Sequence, residues 1–204
     1  SFNKGNPLIA ILDYGSGNLR SALRAFETTG RQVTLTSDAE FAAKADALVV
    51  PGVGAFGACM SGLKQINGDQ IIKSRVLAGK PTLGICVGMQ IMFEQGVEHG
   101  TFPGVGALKG TVQKLNAPVL PHMGWNTVDI HGTSKLFKGV EKESFYFVHS
   151  YAVQESNVAT YASTDYHGKF ISAVEAGSIC ATQFHPEKSG AAGLKLINNW
   201  VESL

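Results

Sequence analysis

The sequence has few of the residues that would indicate a disulfide framework or a metal site. It contains three cysteines among 204 residues, at positions 59, 86 and 180. An odd number of widely spaced cysteines argues against paired disulfides and favours a reducing compartment, so we predict a cytoplasmic protein. No Cys-x-x-Cys occurs and no two histidines have helical ligand spacing. We therefore expect no metal and no cofactor.

Charged residues and long apolar runs are also scarce. Charged residues make up 16% of the chain and the formal net charge is +1, which gives no reason to expect a nucleic acid or a membrane surface as a partner. No apolar run approaches the roughly 20 residues of a membrane span. The 44% hydrophobic content indicates a globular protein. We expect residues 1–6 to be a tag remnant or a disordered N-terminus, and residues 7–204 to form a single domain.

In the first half of the sequence, buried strands alternate with helices. The apolar runs 8–12 and 47–50 predict strands buried on both faces, and helical spacing follows the first run until Gly30. A strand at 32–35, a short helix after it, and a helix over 66–77 extend the alternation. Alternation of this kind predicts a parallel sheet covered by helices. The turn after the first strand lacks the third glycine of a dinucleotide fingerprint, since position 20 is Arg20.

The second half contains short strands separated by glycine and proline. Links this short cannot contain crossover helices, so several of these strands are predicted to be antiparallel. An amphipathic helix is predicted near the end of the chain. The predicted strands are Gly110–Leu115, Gly124–Ile130, Ser144–Val153, Ala159–Ser163, Ile171–Glu175 and Ser178–Phe184. We therefore predict an α/β fold: a flavodoxin-like three-layer sandwich with a mostly parallel central sheet, helices on both faces and antiparallel strands in the C-terminal half.

Cys86 lies where a predicted strand meets a predicted helix. Glycines stand two residues before and two residues after it, as in the turn that exposes a nucleophile between a strand and a helix. Such a turn is too crowded for β-carbons beside the nucleophile, and the helix N-terminus favours a thiolate. The alternative interpretation is a small buried cysteine in a glycine-rich strand end.

His185 and Glu187 are the predicted partners of this thiol. Pro186 disfavours a helical conformation at His185, so the segment is predicted to be extended. In an extended segment residues i and i+2 share a face, which places the carboxylate beside one ring nitrogen. The other nitrogen can then face Cys86 as a base. His149, in an apolar strand, is the strongest alternative base, but it has no carboxylate two residues later.

Six segments together resemble class I (triad) glutamine amidotransferases, and among them the glutaminase subunits of imidazole glycerol phosphate synthases. The resemblance covers about residues 8–204. The segments are Asp13-Tyr14-Gly15-Ser16-Gly17-Asn18, Pro51-Gly52-Val53-Gly54-Ala55-Phe56, Gly84-Ile85-Cys86-Val87-Gly88-Met89-Gln90, His122-Met123-Gly124-Trp125-Asn126, Phe145-Tyr146-Phe147-Val148-His149-Ser150-Tyr151 and Gln183-Phe184-His185-Pro186-Glu187.

The resemblance implies that the chain hydrolyses glutamine to glutamate and ammonia through a thioester on the cysteine. The ammonia would pass to a separate cyclase subunit with a (β/α)8-barrel fold, in a heterodimer that makes imidazole glycerol phosphate and aminoimidazole carboxamide ribotide in histidine biosynthesis. It implies roles for these residues: Cys86, His185 and Glu187 in catalysis; Gly52, Val53 and Val87 in the oxyanion hole; Gln90, Glu94, Ser150 and Tyr151 on the substrate; Asn18, Met123, Trp125 and Lys188 at the partner interface.

Several alternatives remain open from the sequence. Trp125 could be a core aromatic residue, and Lys188 a solvated lysine. The chain could serve another synthase, such as that for pyridoxal phosphate or anthranilate. It could also be a non-catalytic flavodoxin-like module in which Cys86 is a sensor thiol.

Overall fold

The computed structural model describes residues 6–204, so the expectation for residues 1–5 lies outside it. The α-helices are α1 (Leu19–Glu27), α2 (Ala39–Lys44), α3 (Phe56–Gln65), α4 (Gly68–Leu77), α5 (Val87–Gln90) and α6 (Gly190–Glu202). The strands are β1 (Leu8–Leu12), β2 (Gln32–Thr36), β3 (Ala47–Val50), β4 (Thr82–Ile85), β5 (Phe93–Val97), β6 (Thr101–Pro103), β7 (Leu108–Lys114), β8 (His122–Asn126), β9 (Asp129–His131), β10 (Phe145–His149), β11 (Tyr151–Val153), β12 (Thr160–Asp165), β13 (Lys169–Ala176) and β14 (Ile179–Thr182).

The centre of the fold is a parallel sheet. Its strands lie in the order β2-β1-β3-β4-β14, and every neighbouring pair in this series is parallel. All residues of β3 and β4 are buried, because helices cover both faces of the sheet. The carboxyl ends of parallel strands meet at one edge. The chain after β1, β3, β4 and β14 therefore converges there, and the parallel sheet predicted for the first half of the sequence is confirmed.

The sheet continues from β14 through strands that are mostly antiparallel. β14 pairs with β13 in a hairpin that turns at Gly177, and β13 pairs with β11 and β12. β11 then pairs with β7, while β5 and β7 form one more parallel pair. The prediction of antiparallel strands in the C-terminal half is confirmed.

Two predicted strands are each divided into two. The run Ser144–Val153 breaks at Ser150, so that β10 pairs with β8 in a separate two-stranded sheet whereas β11 belongs to the main sheet. The run Gly124–Ile130 likewise forms the end of β8 and, after a bend, the start of β9. Hydrophobic alternation does not report such breaks, because each piece keeps its own inward-facing side chains.

The helices pack in two groups. α1 lies against α6, where the Phe26 ring meets the Trp200 ring edge-on at 5.9 Å between centroids. α2 and α3 pack on α4. The guanidinium of Arg75 on α4 is buried and donates to carbonyl oxygens of Ala42, Ala43 and Ala45, which satisfies the C-terminal end of α2. Burial lowers the pKa of Arg75 to about 10, so this side chain stays charged at neutral pH.

Two helix predictions need correction. The helix predicted to follow Cys86 ends after one turn, at Gln90, and the chain re-enters the sheet as β5 at Phe93. The sequence interpretation also missed α3, which follows the glycine-rich 51–54 segment. Its glycines and cysteine have weak helix propensity, and the helix forms because Phe56, Met60 and Leu63 bury one face against the core.

Candidate active site

The turn around Cys86, from Gly84 to Gly88, has the crowded geometry that its two glycines predict; we call it the cysteine elbow. Cys86 follows β4 with φ 58° and ψ −114°, a conformation that non-glycine residues rarely adopt. A β-carbon on Gly88 would lie 1.8 Å from the Val50 carbonyl oxygen, and one on Gly84 would lie 2.4 Å from the Gly88 carbonyl oxygen. Only glycine fits at both positions, and together they let the chain turn sharply at the cysteine.

His185 lies at the carboxyl end of β14 and is held by Glu187. Nδ1 of His185 is 3.0 Å from Oε2 of Glu187, and both side chains are 4% exposed. The other ring nitrogen, Nε2, is buried and has no partner with hydrogen-bond geometry. The Cys86 sulfur lies close enough to interact with this nitrogen electrostatically. The structure thus brings the three predicted catalytic side chains together.

The local geometry of the acid differs from the predicted one. His185 is extended, with φ −98° and ψ 97°, but Pro186–Lys188 forms a turn of 3-10 helix. The carboxylate therefore reaches the ring from a helical turn instead of from the same face of a strand. Ser189 stabilises this turn, since its hydroxyl donates to the His185 carbonyl oxygen at 2.6 Å.

The charge state of His185 follows from its neighbours. Burial alone lowers its pKa, but interaction with the Cys86 sulfur and with the Glu187 carboxylate outweighs burial and raises the pKa to about 10. An imidazolium is therefore favoured at neutral pH when the sulfur is a thiolate. A thiolate–imidazolium pair is the reactive form of a cysteine nucleophile with a histidine base.

His149, the alternative base, has both ring nitrogens occupied. Nδ1 lies 3.0 Å from the Tyr151 carbonyl oxygen and Nε2 lies 2.9 Å from Nδ1 of His122. Burial lowers the pKa of each of these two histidines to about 4. His149 is thus a neutral, fully bonded side chain, and the free nitrogen that faces Cys86 belongs to His185.

A cavity of about 390 Å³ opens above the thiol. It is lined by Val53, Gly54, Ala55, Cys86, Val87, Gln90, Glu98, Val148, His149, Ser150, Tyr151, His185 and Lys188. Cavities of about 420 to 650 Å³ occur elsewhere within residues 6–204, but no cysteine or histidine lines them. The predicted substrate residues Gln90, Ser150 and Tyr151 all line the cavity that contains Cys86.

Glu94 does not line this cavity, and Glu98 does. Because the helix after Cys86 ends at Gln90, Glu94 lies on β5 at an exposed position. Its carboxylate accepts from the Gly110 N–H at 3.0 Å. The prediction that Glu94 faces the substrate from a second helical turn is therefore wrong in its geometry. No sequence pattern pointed to Glu98, which becomes a cavity residue only through the turn after β5.

The predicted oxyanion donors are engaged within the protein. The Val87 N–H donates to the Gly52 carbonyl oxygen at 3.1 Å. The Val53 N–H donates to Ser16 Oγ at 2.9 Å, and the same hydroxyl is 2.9 Å from the Val53 carbonyl oxygen. The segments named for the oxyanion hole do lie beside Cys86, but in this conformation neither of these N–H groups points into an open hole.

The predicted interface residues differ in their surroundings. Met123 and Trp125, on β8, are 62% and 57% exposed, so Trp125 is not a core residue. Asn18 caps α1, since its side chain accepts from the Ser21 N–H. Lys188 lies at the cavity, within the turn that carries Glu187.

A family model described as glutamine amidotransferase class-I matches residues 10–204. The chain belongs to this family. It is therefore a member of a family of enzymes, and its cysteine elbow and His185–Glu187 pair lie within the matched residues.

Relatives support this membership over nearly the full length. The chain is 55% identical to the imidazole glycerol phosphate synthase subunit HisH of Mycobacterium bovis, with 96% of this chain and 98% of the relative covered. It is 53% identical to the protein of that name in Thermobifida fusca, with 97% and 99% covered. The glutamine amidotransferase fold is also found in a crystal structure of a glutamine amidotransferase, at 17% identity with a TM-score of 0.74 and 96% and 99% coverage. PurLQS from Thermotoga maritima matches at 19% identity, with a TM-score of 0.72 and 97% and 99% coverage.

Proposed function

We propose that this glutamine amidotransferase is the glutaminase subunit of an imidazole glycerol phosphate synthase. The main support for this chemistry is the arrangement of three side chains. Cys86 is buried and faces Nε2 of His185, which has no other partner, and Glu187 orients the His185 ring through Nδ1. The high identity to relatives of that name, over almost their whole length, supports the choice of synthase.

The catalytic sequence uses the three side chains in turn. The Cys86 thiolate attacks the carboxamide carbon of glutamine, and a tetrahedral oxyanion forms. The His185 imidazolium gives its proton to the leaving nitrogen, the C–N bond breaks, and ammonia and a thioester remain. His185 then removes a proton from water, which attacks the thioester and releases glutamate and the thiolate. Glu187 keeps the ring in the orientation that leaves Nε2 toward the sulfur.

Charged groups of the cavity supply contacts for the amino-acid end of the substrate. Glu98 places a carboxylate in the lining, which suits the α-ammonium group of glutamine. Lys188 places an ammonium group in the same lining, which suits an α-carboxylate. Gln90 keeps its carbonyl oxygen for the substrate, because its amide nitrogen donates to Tyr151 and Gln183.

A partner subunit completes the enzyme in this proposal. A glutaminase that worked alone would release ammonia without an acceptor. Because the Val53 and Val87 N–H groups are occupied, we expect the isolated chain to have a low activity. Docking of a cyclase subunit with a (β/α)8-barrel fold would turn the 51–54 segment so that an N–H faces the oxyanion, a contact worth about 3–4 kcal/mol.

The names of the relatives favour this synthase over one for pyridoxal phosphate or anthranilate. A sensor thiol would need no oriented base, so the Glu187–His185 contact favours the catalytic interpretation.

The decisive experiment compares two nitrogen sources in the presence of the cyclase subunit. Cys86→Ala should lower glutamine-dependent product formation by about 10⁴-fold or more while ammonia-dependent formation is unchanged. Cys180→Ala is the matched control, because Cys180 on β14 lies outside the cavity, and both activities should persist.

An electrophilic glutamine analogue adds a direct test on the isolated chain. Peptide mass spectrometry should find it on Cys86. Labelling of Cys59 or Cys180 instead, or glutamine-dependent activity that survives Cys86→Ala, would overturn the assignment.

A further inference from the structure

A chain of buried hydrogen bonds leads from strand β8 to the nucleophile. Asn126 Nδ2 lies 3.2 Å from His122 Nε2, and His122 Nδ1 lies 2.9 Å from His149 Nε2. The Tyr151 carbonyl oxygen is 3.0 Å from both His149 Nδ1 and Gln90 Nε2. From this carbonyl to the sulfur, the hydrogen bonds pass through two glutamine side chains. We call this part of the hydrogen-bond chain the glutamine half, and the part from Asn126 to the Tyr151 carbonyl the histidine half.

Those two glutamines end the chain at Cys86. Gln90 Nε2 donates to Gln183 Oε1 at 3.1 Å, and Gln183 Nε2 lies 3.8 Å from Cys86 Sγ. Gln90 and Gln183 are 3% and 1% exposed, so both side chains are buried. Gln183 is not needed by the reaction sequence given above, yet its amide meets the atom that reacts.

The direction of every hydrogen bond in the histidine half is fixed, because the group at one end can only donate and the group at the other end can only accept. Asn126 Oδ1 accepts from the Thr127 N–H at 2.8 Å, so Nδ2 is the end that donates to His122. His122 Nε2 is then an acceptor and its Nδ1 carries the proton, which His149 Nε2 accepts. His149 Nδ1 carries its proton toward the Tyr151 carbonyl, which can only accept. Both rings must be neutral, as burial favours.

The direction of the glutamine half follows from the same carbonyl. Because the Tyr151 oxygen cannot donate, Gln90 must present its NH₂ group there, and the second hydrogen of that group faces Gln183. Gln183 must therefore present its oxygen to Gln90 and its NH₂ group to the sulfur. A flipped Gln183 amide would place two donors together and an oxygen against the thiolate.

We propose that Gln183 is a further catalytic residue, whose amide N–H donates to the Cys86 thiolate, and that Gln90 fixes the orientation of that amide. His149 and His122 are positioning residues that hold the Tyr151 carbonyl group to which Gln90 bonds. The inference rests on the proposed role of Cys86 as the nucleophile. A donor to sulfur stabilises the thiolate before attack and holds the sulfur in place beside His185. The thiolate in the folded protein then has two stabilising neighbours, one charged and one neutral.

The test measures the rate at which iodoacetamide alkylates Cys86 in the isolated chain, from about pH 5 to 10. Peptide mass spectrometry follows each cysteine separately. Gln183→Met keeps the volume and removes the donor, and should raise the pH of half-maximal rate by about one unit. Gln183→Glu keeps the acceptor for Gln90 but places a carboxylate at the sulfur, and should raise that pH further.

A matched pair at position 149 tests the positioning role without touching the sulfur. His149→Phe removes the donor to the Tyr151 carbonyl and should shift the Cys86 curve in the same direction. His149→Asn places an amide N–H where Nδ1 stood and should restore much of the wild-type curve.

Other titratable groups also affect these curves and, apart from residue 149, are the same in every variant. Those that face the thiol or its cavity are His185 with Glu187 behind it, Tyr14, Cys59, His149, Tyr151, Glu98 and Lys188. The alkylation rates of Cys59 and Cys180 should not change between variants.

A structural role alone predicts a different result. In that case Gln183→Met and Gln183→Glu would lower thermal stability but leave the Cys86 curve where it is in the wild type, and the proposal would be overturned. If Gln183→Met does not fold, Gln183→Glu and the His149 pair decide by the same criterion. Alkylation needs neither glutamine nor a partner. A failure of the proposed function would appear with the glutamine analogue, and not in these curves.

Discussion

At the scale of single residues, the site depends on a reciprocal interaction between a sulfur and an imidazole. Burial alone would favour the neutral imidazole of His185, because it penalises the charged form. Interaction with the Cys86 sulfur outweighs burial, and Glu187 adds a negative group on the far side of the ring. The high pKa of His185 therefore depends on Cys86 being present.

Removing the sulfur should lower the pKa of His185. In Cys86→Ala the contribution of the thiolate is lost, so burial weighs more and the pKa should fall below about 10. NMR titration of the histidine ring resonances would measure this, with Cys180→Ala as a control in which the pKa of His185 is unchanged. A Cys86→Ala protein whose His185 titrates as in the wild type would contradict the coupling.

The same shift gives a pH dependence of stability. The folded-state pKa of His185 is raised above its ordinary value of about 6.5. Its contribution is therefore fully present below about pH 6.5 and is lost as the pH rises toward about 10. Urea unfolding of the wild type across that window should show the loss, and Cys86→Ala should show less of it.

At the scale of elements, the 51–54 segment is held by side chains from two other elements. The Tyr14 hydroxyl donates to the Pro51 carbonyl oxygen, and the Ser16 hydroxyl bonds both polar groups of the Val53 backbone. The Cys59 thiol of α3 also donates to the Val53 carbonyl, at 3.3 Å. These contacts keep the proposed oxyanion donor turned away from the substrate.

Ser16→Ala should therefore raise glutamine hydrolysis by the isolated chain. The hydroxyl bridges the Val53 N–H and carbonyl, and a lost hydrogen bond of about 1 kcal/mol corresponds to about fivefold in rate. Ammonia release without a partner measures it, while the rate of the complex should stay close to that of the wild type. Ser61→Ala, at an exposed position of α3, is the control.

Two outcomes would count against this account of the segment. One is a Ser16→Ala chain that is no faster than the wild type although it folds. The other is a wild-type chain that hydrolyses glutamine as fast alone as it does in the complex.

At the scale of the whole molecule, the separate β8–β10 sheet presents apolar side chains to solvent. Met123 and Trp125 project from β8, while His122 and Asn126 of the same strand face inward. The net charge of +1 provides little long-range attraction. We expect docking to depend on buried aromatic contact at this surface.

Trp125→Ala should weaken binding of the cyclase subunit. Loss of an aromatic residue central to an interface costs about 2 kcal/mol, which corresponds to an increase in Kd of about 30-fold. Calorimetric titration would measure it. Leu77→Ala, at an apolar side chain on α4 that is 89% exposed, is the matched control and should leave the Kd unchanged. A Trp125→Ala chain that binds as tightly as the wild type would place the interface elsewhere.

Within residues 6–204, no helix is long and apolar enough to span a membrane.

Local sequence determined the elements whose signals do not depend on distant contacts. Glycines at 84 and 88 require a crowded turn around Cys86, and apolar runs such as 47–50 require strands buried on both faces. These features follow from backbone sterics and from side-chain periodicity, which operate over a few residues. The sequence named Cys86 and His185 as partners, but that they meet follows from the parallel pairing of β4 with β14, which only the structure shows.

Tertiary structure decided the features that depend on contacts between residues that the fold brings together. The helix after Cys86 stops after one turn because the chain re-enters the sheet at Phe93. As a result Glu98, and not the predicted Glu94, lines the cavity. The state of the oxyanion segment depends on Ser16, which is distant from it in sequence. The orientation of Gln183 depends on a hydrogen-bond chain that crosses from one sheet to another. A buried polar group must find a partner wherever the fold supplies one, and no local pattern records that choice.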